Sequence, residues 1–317
     1  MDKVYILNIF LILILVLIIS LFLVYYFKIT RLATNLTNNL EYGCTTELDV
    51  PEPKYENITD KKLFYKQFIC YGINLVYYYT EKNKKIIVND ETTELKQILY
   101  DKGKNMFGIF VYHKKAKVNF IIYRGSLTGS DWSDIDFDIE QKDYPNYPNA
   151  CVHSGFYNRF NELKDQLVKI FGSYNDKTIQ LYIGGHSLGC PICIFTALLI
   201  SQKYKNITTY NTYVFALPKM GNQNFAQYVN ETLDNKLEIY ENQADIIPQL
   251  PFTSTLNIDN KKRPYIYYNF RKEYYYYFYC VQKYICSNHG VLVYYNNISK
   301  AKQLDNIEYC NNQVCKY

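Results

Sequence analysis

The chain has 317 residues, 48% of them hydrophobic and 21% charged, with a formal net charge of +5 at pH 7. This length and apolar content suffice for one large α/β domain or two small ones, and the ordinary charge content excludes a disordered chain. No nucleic-acid-binding motif is present and the basic residues are scattered in short clusters, so we expect no nucleic-acid partner. The heavy use of Tyr, Asn, Lys and Ile indicates an AT-rich coding genome, as in a parasite or a large DNA virus.

The first feature along the chain is an apolar stretch at residues 4–27 without a charged residue. As a helix it would measure about 36 Å, enough to cross a hydrocarbon core of roughly 30 Å. A cleaved signal peptide is the rival interpretation, but its apolar stretch is shorter and a small-residue cleavage site follows it. We therefore predict a transmembrane signal anchor over 1–30, a polar tether over 31–60 and a globular domain over 61–317, with single-pass attachment to a membrane bilayer.

The sequence gives only weak evidence for the side of the membrane on which the domain would lie. Lys3 precedes the apolar stretch and Lys28 and Arg31 follow it, so the positive-inside rule gives no orientation. Sequons for N-glycosylation favour a lumenal or extracellular domain. They occur at Asn35, Asn57, Asn206, Asn230 and Asn297.

The nine cysteines allow two interpretations. Cys280 with Cys286, and Cys310 with Cys315, are close enough in sequence to form short-loop disulfides, whereas buried free thiols are the alternative. No Cys/His spacing resembles a zinc site, so we predict no metal.

Hydrophobic patterning divides the remaining chain into alternating strands and helices. The predicted helices cover residues 63–79, 156–171, 190–204 and 222–233, and the predicted strands cover 107–112, 118–123, 178–183, 210–217 and 237–240, with a short element at 94–100. The first two strands form a hairpin. The β-α-β alternation that follows predicts a mostly parallel central sheet with helices on both faces.

The sequence GGHSLG at residues 184–189 lies between a β-branched apolar strand and a predicted helix. A glycine-bracketed serine in this context predicts a nucleophile elbow, a tight turn that projects the serine hydroxyl above the sheet edge. Gly185 and Gly189 avoid the collision that larger residues would make with the strand and the helix. Ser187 is therefore the candidate nucleophile.

A serine hydroxyl becomes a strong nucleophile when a histidine removes its proton and a carboxylate orients the histidine. In folds with this elbow the chain order is serine, acid, histidine. Of the four histidines, only His289 follows an acid that itself follows Ser187, so elimination makes it the general base. Asp245 lies in the segment that follows the predicted strand 237–240 and is the candidate acid, with Glu238 and Glu241 as alternatives.

The tetrahedral intermediate needs two hydrogen-bond donors for its oxyanion. The backbone N–H of Leu188, directly after the nucleophile, is the first candidate. The sequence YRGS at 123–126 ends the predicted strand 118–123, and its Ser126 can offer both its N–H and its hydroxyl.

These motifs, in this order, resemble those of class 3 lipases, the family typified by fungal triacylglycerol lipases, over residues 105–295. The matching segments are YRGS at 123–126, DW at 131–132, VHSGF at 152–156, GGHSLG at 184–189, FALPKMGN at 215–222, NQADIIPQLP at 242–251 and NHGVLVYY at 288–295. Cys190 departs from the family's usual Gly or Ala, Leu217 replaces a small polar residue, and the segment around His289 matches least.

The resemblance implies an α/β-hydrolase fold with a lid at residues 127–150 and no metal or organic cofactor. Together with the candidate triad, it predicts a membrane-anchored serine hydrolase that cleaves carboxylic esters of acylglycerols or phospholipids. The alternative is a catalytically silent lipase-like fold that serves as a membrane or protein-binding module.

Overall fold

The computed structural model of the protein describes residues 50–303, apart from residues 85, 87–90, 128–130, 132–135, 137, 139, 146, 175–178, 208, 252–253, 259–263 and 283–284. All of these described residues belong to the compact unit Cys44–Tyr317. The boundaries predicted at residue 30 and for the start of the tether lie outside this range, so the predicted division into domains stays a prediction.

The helices of the described chain are α1 (Lys61–Glu81), α2 (Ser154–Gly172), α3 (Gly189–Lys203), α4 (Gln223–Leu233) and α5 (Val291–Asn297). The strands are β1 (Thr93–Tyr100), β2 (Met106–His113), β3 (Val118–Tyr123), β4 (Gln141–Asp143), β5 (Cys151–His153), β6 (Gln180–His186), β7 (Thr209–Phe215), β8 (Leu237–Asn242), β9 (Ser254–Ile258), β10 (Pro264–Ile266) and β11 (Tyr275–Phe278).

Within the described residues, the central sheet has seven strands in the order β1-β2-β3-β6-β7-β8-β11. The first two pairings are antiparallel, which confirms the predicted β2–β3 hairpin. The four pairings from β3 to β11 are parallel, as predicted for crossover connections. In such a sheet, the loops at the carboxyl ends of the strands share one edge, and the predicted site residues follow β3, β6 and β8.

Alternating side chains of the strands supply two separate cores, one on each face of the sheet. On β3, Ile121 and Tyr123 face the core formed with α2, α3 and α4. Phe120 and Ile122 face the other core, which contains residues of α1 and α5. The run of buried residues along β3 therefore reflects a strand covered on both faces.

Some elements were absent from the predicted pattern. β11 lies in a tyrosine run without clear alternation, yet it pairs in parallel with β8, with Tyr275 opposite Ile239. The two-stranded ribbons β4–β5 and β9–β10 consist of strands of three to five residues. Strands this short carry too little period-2 signal to be recognised in a sequence.

The predicted single-pass membrane localisation is wrong for the part of the chain that the structure describes. No helix there is long and apolar enough to cross a bilayer. The longest, α1, begins with Lys61 and Lys62 and buries its apolar side chains, such as Phe64 and Ile69, in the core. The stretch at residues 4–27, from which the localisation was predicted, lies outside the described residues.

A buried ion cluster ties the start of the 127–150 segment to the sheet and to α2. Asp131 is fully buried, and its two carboxylate oxygens lie 2.8 Å from Nη1 of Arg124 and 2.8 Å from Nη2 of Arg159. It also accepts the backbone N–H of Leu127 at 3.0 Å, and Arg159 reaches a second buried carboxylate, Asp101, at 3.1 Å. The cluster therefore holds four charges together away from water.

Removing the central carboxylate of this cluster should be strongly destabilising, since Asp131→Ala leaves two buried guanidinium groups without their shared partner. We expect a loss of about 3–5 kcal/mol in the free energy of unfolding, measured by urea titration. The matched control is Glu94→Ala, which breaks an exposed pair with Lys96 and should cost below about 1 kcal/mol. Equal losses in the two variants would contradict a stabilising role for the cluster.

Candidate active site

Ser187 occupies a strained turn between β6 and α3. Its φ is 53°, in the left-handed region that non-glycine residues rarely adopt. Its N–H donates to the carbonyl of Phe215 at 3.0 Å, and its own carbonyl accepts the N–H of Cys190 at 2.9 Å. These bonds to β7 and to the first turn of α3 stabilise the unusual backbone conformation.

The two elbow glycines, Gly185 and Gly189, lie where the backbone segments approach closely. A Cβ atom at Gly185 would lie 2.7 Å from the carbonyl oxygen of Gly189, and one at Gly189 would lie 2.6 Å from the carbonyl oxygen of Arg124. Both obstacles are backbone atoms, which cannot turn aside as a side chain can. Only glycine therefore fits at either position without moving the strand or the helix.

Asp245 and His289 meet in a buried pair. Asp245 lies in the loop after β8, and His289 ends the short 3-10 helix Ile285–His289. Nδ1 of His289 lies 2.7 Å from Oδ2 of Asp245, and both side chains are at most 3% exposed. Because this bond occupies Nδ1, Nε2 is the nitrogen that can take a proton from a hydroxyl group.

Further donors support the carboxylate of Asp245. Ile247 donates its backbone N–H to Oδ1 at 3.0 Å, and the hydroxyl of Tyr294 donates to Oδ2 at 2.8 Å. Burial raises the pKa of Asp245, but the His289 imidazole and these hydrogen bonds outweigh it, so the pKa lies below the ordinary 3.8. Asp245 is consequently an anion at neutral pH, as the partner of an imidazolium must be.

The elbow and the histidine loop are in direct contact. The ring of His186, the residue before Ser187, lies 4.4 Å from the ring of His289 between centroids. The structure therefore brings Ser187, Asp245 and His289 to the same edge of the sheet, above the carboxyl ends of β6 and β8. His113 and His153 lie elsewhere and accept backbone N–H groups from Ala116 and Phe156.

The alternative acids do not hold the histidine. Glu238 pairs with Lys66 on α1 at 3.0 Å. Glu241 is buried, and burial together with the charge of Asp245 raises its pKa to about 8. A carboxyl that stays protonated at neutral pH cannot stabilise an imidazolium, so the geometry and the charge both favour Asp245.

The loop that follows β3 packs directly on the nucleophile. A Cβ atom at Gly125 would lie 2.6 Å from the Cβ of Ser187. Ser126, the next residue, is buried, and its hydroxyl donates to Oδ2 of Asp136 at 2.5 Å. Leu188 is the N-cap residue of α3, at the helix end where amide groups have no partner within the helix. Both predicted oxyanion donors therefore flank Ser187.

Several residues that support the loops of Asp245 and His289 were not predicted from the sequence. The buried Asn242 donates to the carbonyls of Cys280 and Asn288 at 2.8 and 3.1 Å, and Asn288 donates to the carbonyl of Ala244 at 3.0 Å. These amides clamp the loop of Asp245 to the loop of His289. In a chain so rich in Asn, no local pattern distinguishes them.

Cys280 is disulfide-bonded. Its predicted pairing with Cys286 stays a prediction, because the side chain of Cys286 is outside the part of the chain that the structure describes.

The segment predicted as a lid touches the site through Asp136. Burial raises the pKa of this carboxyl to about 8, against the lowering effect of the Ser126 hydrogen bond, and the charge of Asp131 raises it further. An exposed aspartate ionises near 3.8. Between these two values, Asp136 keeps its proton while it is buried against Ser126 and loses it when it is exposed to water. The buried position of Asp136 is therefore most stable at low pH, and its stability falls progressively as the pH rises towards 8.

We therefore expect hydrogen exchange in residues 127–150, corrected for the intrinsic pH dependence, to accelerate between about pH 5 and about pH 8 and then to level off. Asp136→Asn keeps an acceptor for Ser126 but cannot ionise, so its corrected exchange should not vary with pH. A pH-independent exchange rate in the unmodified chain would argue against this role of Asp136.

A metal is not needed to explain these contacts. Within the described ranges, no group of three or more His, Cys, Asp or Glu side chains is arranged to hold a metal ion. The expectation that the protein has no cofactor stays a prediction.

Comparison with known sequences relates part of the site to a family. Residues 120–255 match the model of the family described as lipase (class 3). A secreted mono- and diacylglycerol lipase, MDL3, of Malassezia globosa is 27% identical over 152 residues, which cover 44% of this chain and 49% of that protein. A lipase of Rhizomucor miehei is 28% identical over 43% of this chain and 38% of its own length. The chain thus spans about half the length or less of these relatives.

A third relative and two solved structures extend the comparison. Phospholipase A1-II 1 of Oryza sativa is 23% identical over 52% of this chain and 47% of that protein. A fungal lipase–inhibitor complex is matched with a TM-score of 0.53 and 21% identity over 68% of this chain and 85% of its own. The LIP2 lipase of Yarrowia lipolytica is matched with a TM-score of 0.52 and 17% identity over 69% and 80%. The structures share the α/β-hydrolase fold with its mostly parallel sheet, and, as its motifs predicted, residues 120–255 of the chain match the class 3 lipase family.

Proposed function

We propose that the protein is a serine hydrolase that cleaves carboxylic esters of acylglycerols or phospholipids. The observation that carries the proposal is the buried pair of Asp245 and His289, 2.7 Å apart, beside a serine held at φ 53° on an elbow. Relatives named as mono- and diacylglycerol lipase and as phospholipase A1 support the two substrate classes.

The proposed reaction begins with Ser187. Its hydroxyl oxygen attacks the ester carbonyl while the proton passes to Nε2 of His289. Asp245, already anionic, stabilises the imidazolium that forms and keeps the ring in the tautomer with Nδ1–H. His289 then returns the proton to the leaving alcohol, and an acyl-enzyme remains on Ser187. A water molecule activated in the same way releases the carboxylic acid.

The negative charge that develops on the carbonyl oxygen needs donors in place before the reaction. The N–H of Leu188 and the N–H of Ser126 fill this role on either side of Ser187. While the hydroxyl of Ser126 donates to Asp136, its proton cannot serve the oxyanion. The hydroxyl becomes a third donor when that bond is exchanged.

The surroundings of the acid suit an apolar substrate. Ile246, directly after Asp245, is 52% exposed and presents an aliphatic side chain next to the acid. It directly follows the acid, which is itself buried. We propose that it contacts the acyl chain of the ester.

Replacing the nucleophile tests the proposal. Ser187→Ala should lower kcat for p-nitrophenyl esters by several orders of magnitude, because it removes the attacking oxygen. Hydrolysis of the butyrate and palmitate esters by the full chain would be followed at pH 7.5, and labelling of Ser187 with a fluorophosphonate probe would be followed by mass spectrometry. Undiminished hydrolysis by the variant, or no hydrolysis and no label in the unmodified chain, would refute the proposal and favour a catalytically silent fold.

A substitution of the acid that preserves the shape of its side chain provides a second test. Asp245→Asn keeps the volume and the acceptor for Ile247 but allows the wrong tautomer of His289, so kcat should fall about 10⁴-fold with little change in KM. Glu241→Gln is the matched control, since that carboxyl is protonated at neutral pH and makes no bond to the histidine. A larger loss in the control variant would transfer the role of acid to Glu241.

A further inference from the structure

We propose that Tyr77 and His186 are positioning residues that form a hydrogen-bond relay between the oxyanion loop and the loop of the general base. The inference rests on the proposed function, but it concerns residues outside the triad and the oxyanion donors. Tyr77 lies on α1, outside the residues matched to the family. His186 is the residue that precedes the nucleophile.

The relay has three bonds. The N–H of Gly125 lies 2.8 Å from the hydroxyl oxygen of Tyr77, the hydroxyl lies 3.0 Å from Nδ1 of His186, and Nε2 of His186 lies 2.7 Å from the carbonyl oxygen of His289. The side chains of Tyr77 and His186 are buried. One continuous path therefore joins the loop after β3 to the loop that carries the general base.

The chemistry of the two ends determines the direction of every bond in the relay. A backbone N–H only donates, so the oxygen of Tyr77 accepts from Gly125, and a carbonyl oxygen only accepts, so Nε2 of His186 carries a hydrogen. A neutral imidazole with Nε2–H has an acceptor at Nδ1, which takes the hydroxyl proton of Tyr77. Burial, and then the charge of His289, lower the pKa of His186 well below 6.5, so the ring stays neutral as this scheme requires.

The relay also sets distances at the reacting atoms. A Cβ atom at Gly125 would lie 2.3 Å from the hydroxyl of Tyr77 and 2.6 Å from the Cβ of Ser187, so the glycine is enclosed between the two. The position of the Tyr77 phenol therefore decides how closely the loop approaches the nucleophile. At the other end, the ring of His186 packs against the ring of His289 at 4.4 Å and holds its carbonyl.

Neither residue is placed to react. Nδ1 and Nε2 of His186 are both engaged, and its ring is enclosed by Tyr77, His289 and the ring of Tyr294 at 5.9 Å. Loss of the relay should therefore leave substrate binding largely intact and displace the oxyanion donors and the base from their optimal positions. Displacements of about 1 Å at reacting groups cost on the order of 10²-fold in rate.

Kinetic measurements on the full chain test this role. Tyr77→Phe should lower kcat about 10- to 100-fold with KM for p-nitrophenyl butyrate within about twofold. Tyr275→Phe is the matched control, because this buried hydroxyl also accepts a backbone N–H, from Phe270 at 3.3 Å, but lies on the edge strand β11. Both variants should lose similar thermal stability. If they also lose similar activity, the positioning role is refuted.

Two substitutions separate the ends of the relay. His186→Gln retains a donor near the position of Nε2, and His186→Asn retains an acceptor near the position of Nδ1. Each should recover part of the activity that His186→Ala loses, and Tyr77→Phe combined with His186→Ala should be no slower than His186→Ala alone. Independent, multiplicative losses would show that the two residues do not act as one unit.

A spectroscopic measurement decides the geometry whether or not the protein hydrolyses esters. The chain has four histidines, so each can be assigned in ¹⁵N-histidine-labelled protein by substitution. We expect His186 as the neutral Nε2–H tautomer between about pH 5 and about pH 9, with an Nδ1 shift that changes in Tyr77→Phe. Titration of His186 near its ordinary pKa, or an Nδ1–H tautomer, overturns the relay. An inactive, unlabelled chain with the expected spectrum overturns the proposed function instead.

Discussion

Three backbone segments meet around Ser187 more closely than side chains would permit. Gly125, Gly185 and Gly189 each face backbone or Ser187 atoms at distances that a Cβ could not tolerate. The end of β3, the end of β6 and the start of α3 can therefore converge on one residue. This convergence forces the serine into its left-handed conformation, and the bonds of its N–H and carbonyl to neighbouring elements sustain the strain.

Hydrogen bonds around the site keep the buried acid ionised and hold the loops of the acid and the base together, which close packing alone does not do. Asp245 is buried, yet it accepts bonds from His289, Ile247 and Tyr294 and remains an anion. In a low-dielectric environment these bonds are strong, and an unpaired carboxylate would be costly. The loop of the acid is thereby held to the loop of the base before any substrate binds.

The ion cluster on the other side of the oxyanion loop has a related role. Arg124 donates both to the carbonyl of Gly125 at 2.6 Å and to Asp131 at 2.8 Å, so one guanidinium joins the oxyanion loop to the start of the 127–150 segment. Asp136, farther along the same segment, holds the hydroxyl of Ser126. Movement of the 127–150 segment would therefore displace the oxyanion donors through the side chains of Arg124 and Asp136.

Local patterns in the sequence were enough to locate the core elements and the candidate chemistry. Apolar periodicity identified the β2–β3 hairpin, α2, the strand and helix around the elbow, and β8. The glycine spacing around Ser187 and the chain order of the few histidines led to Asp245 and His289. These signals are local because the steric limits of a tight turn and the period of a strand act over a few neighbouring residues.

The tertiary structure decided the features that depend on residues far apart in the chain. Tyr77 lies 109 positions before His186, and Asn242 lies 46 positions before Asn288, yet each pair is in contact. The seventh strand joins the sheet only because β8 offers a parallel edge. Such contacts leave no pattern in the sequence, since any Tyr or Asn is chemically able to make them, and only the path of the folded chain selects the ones that do.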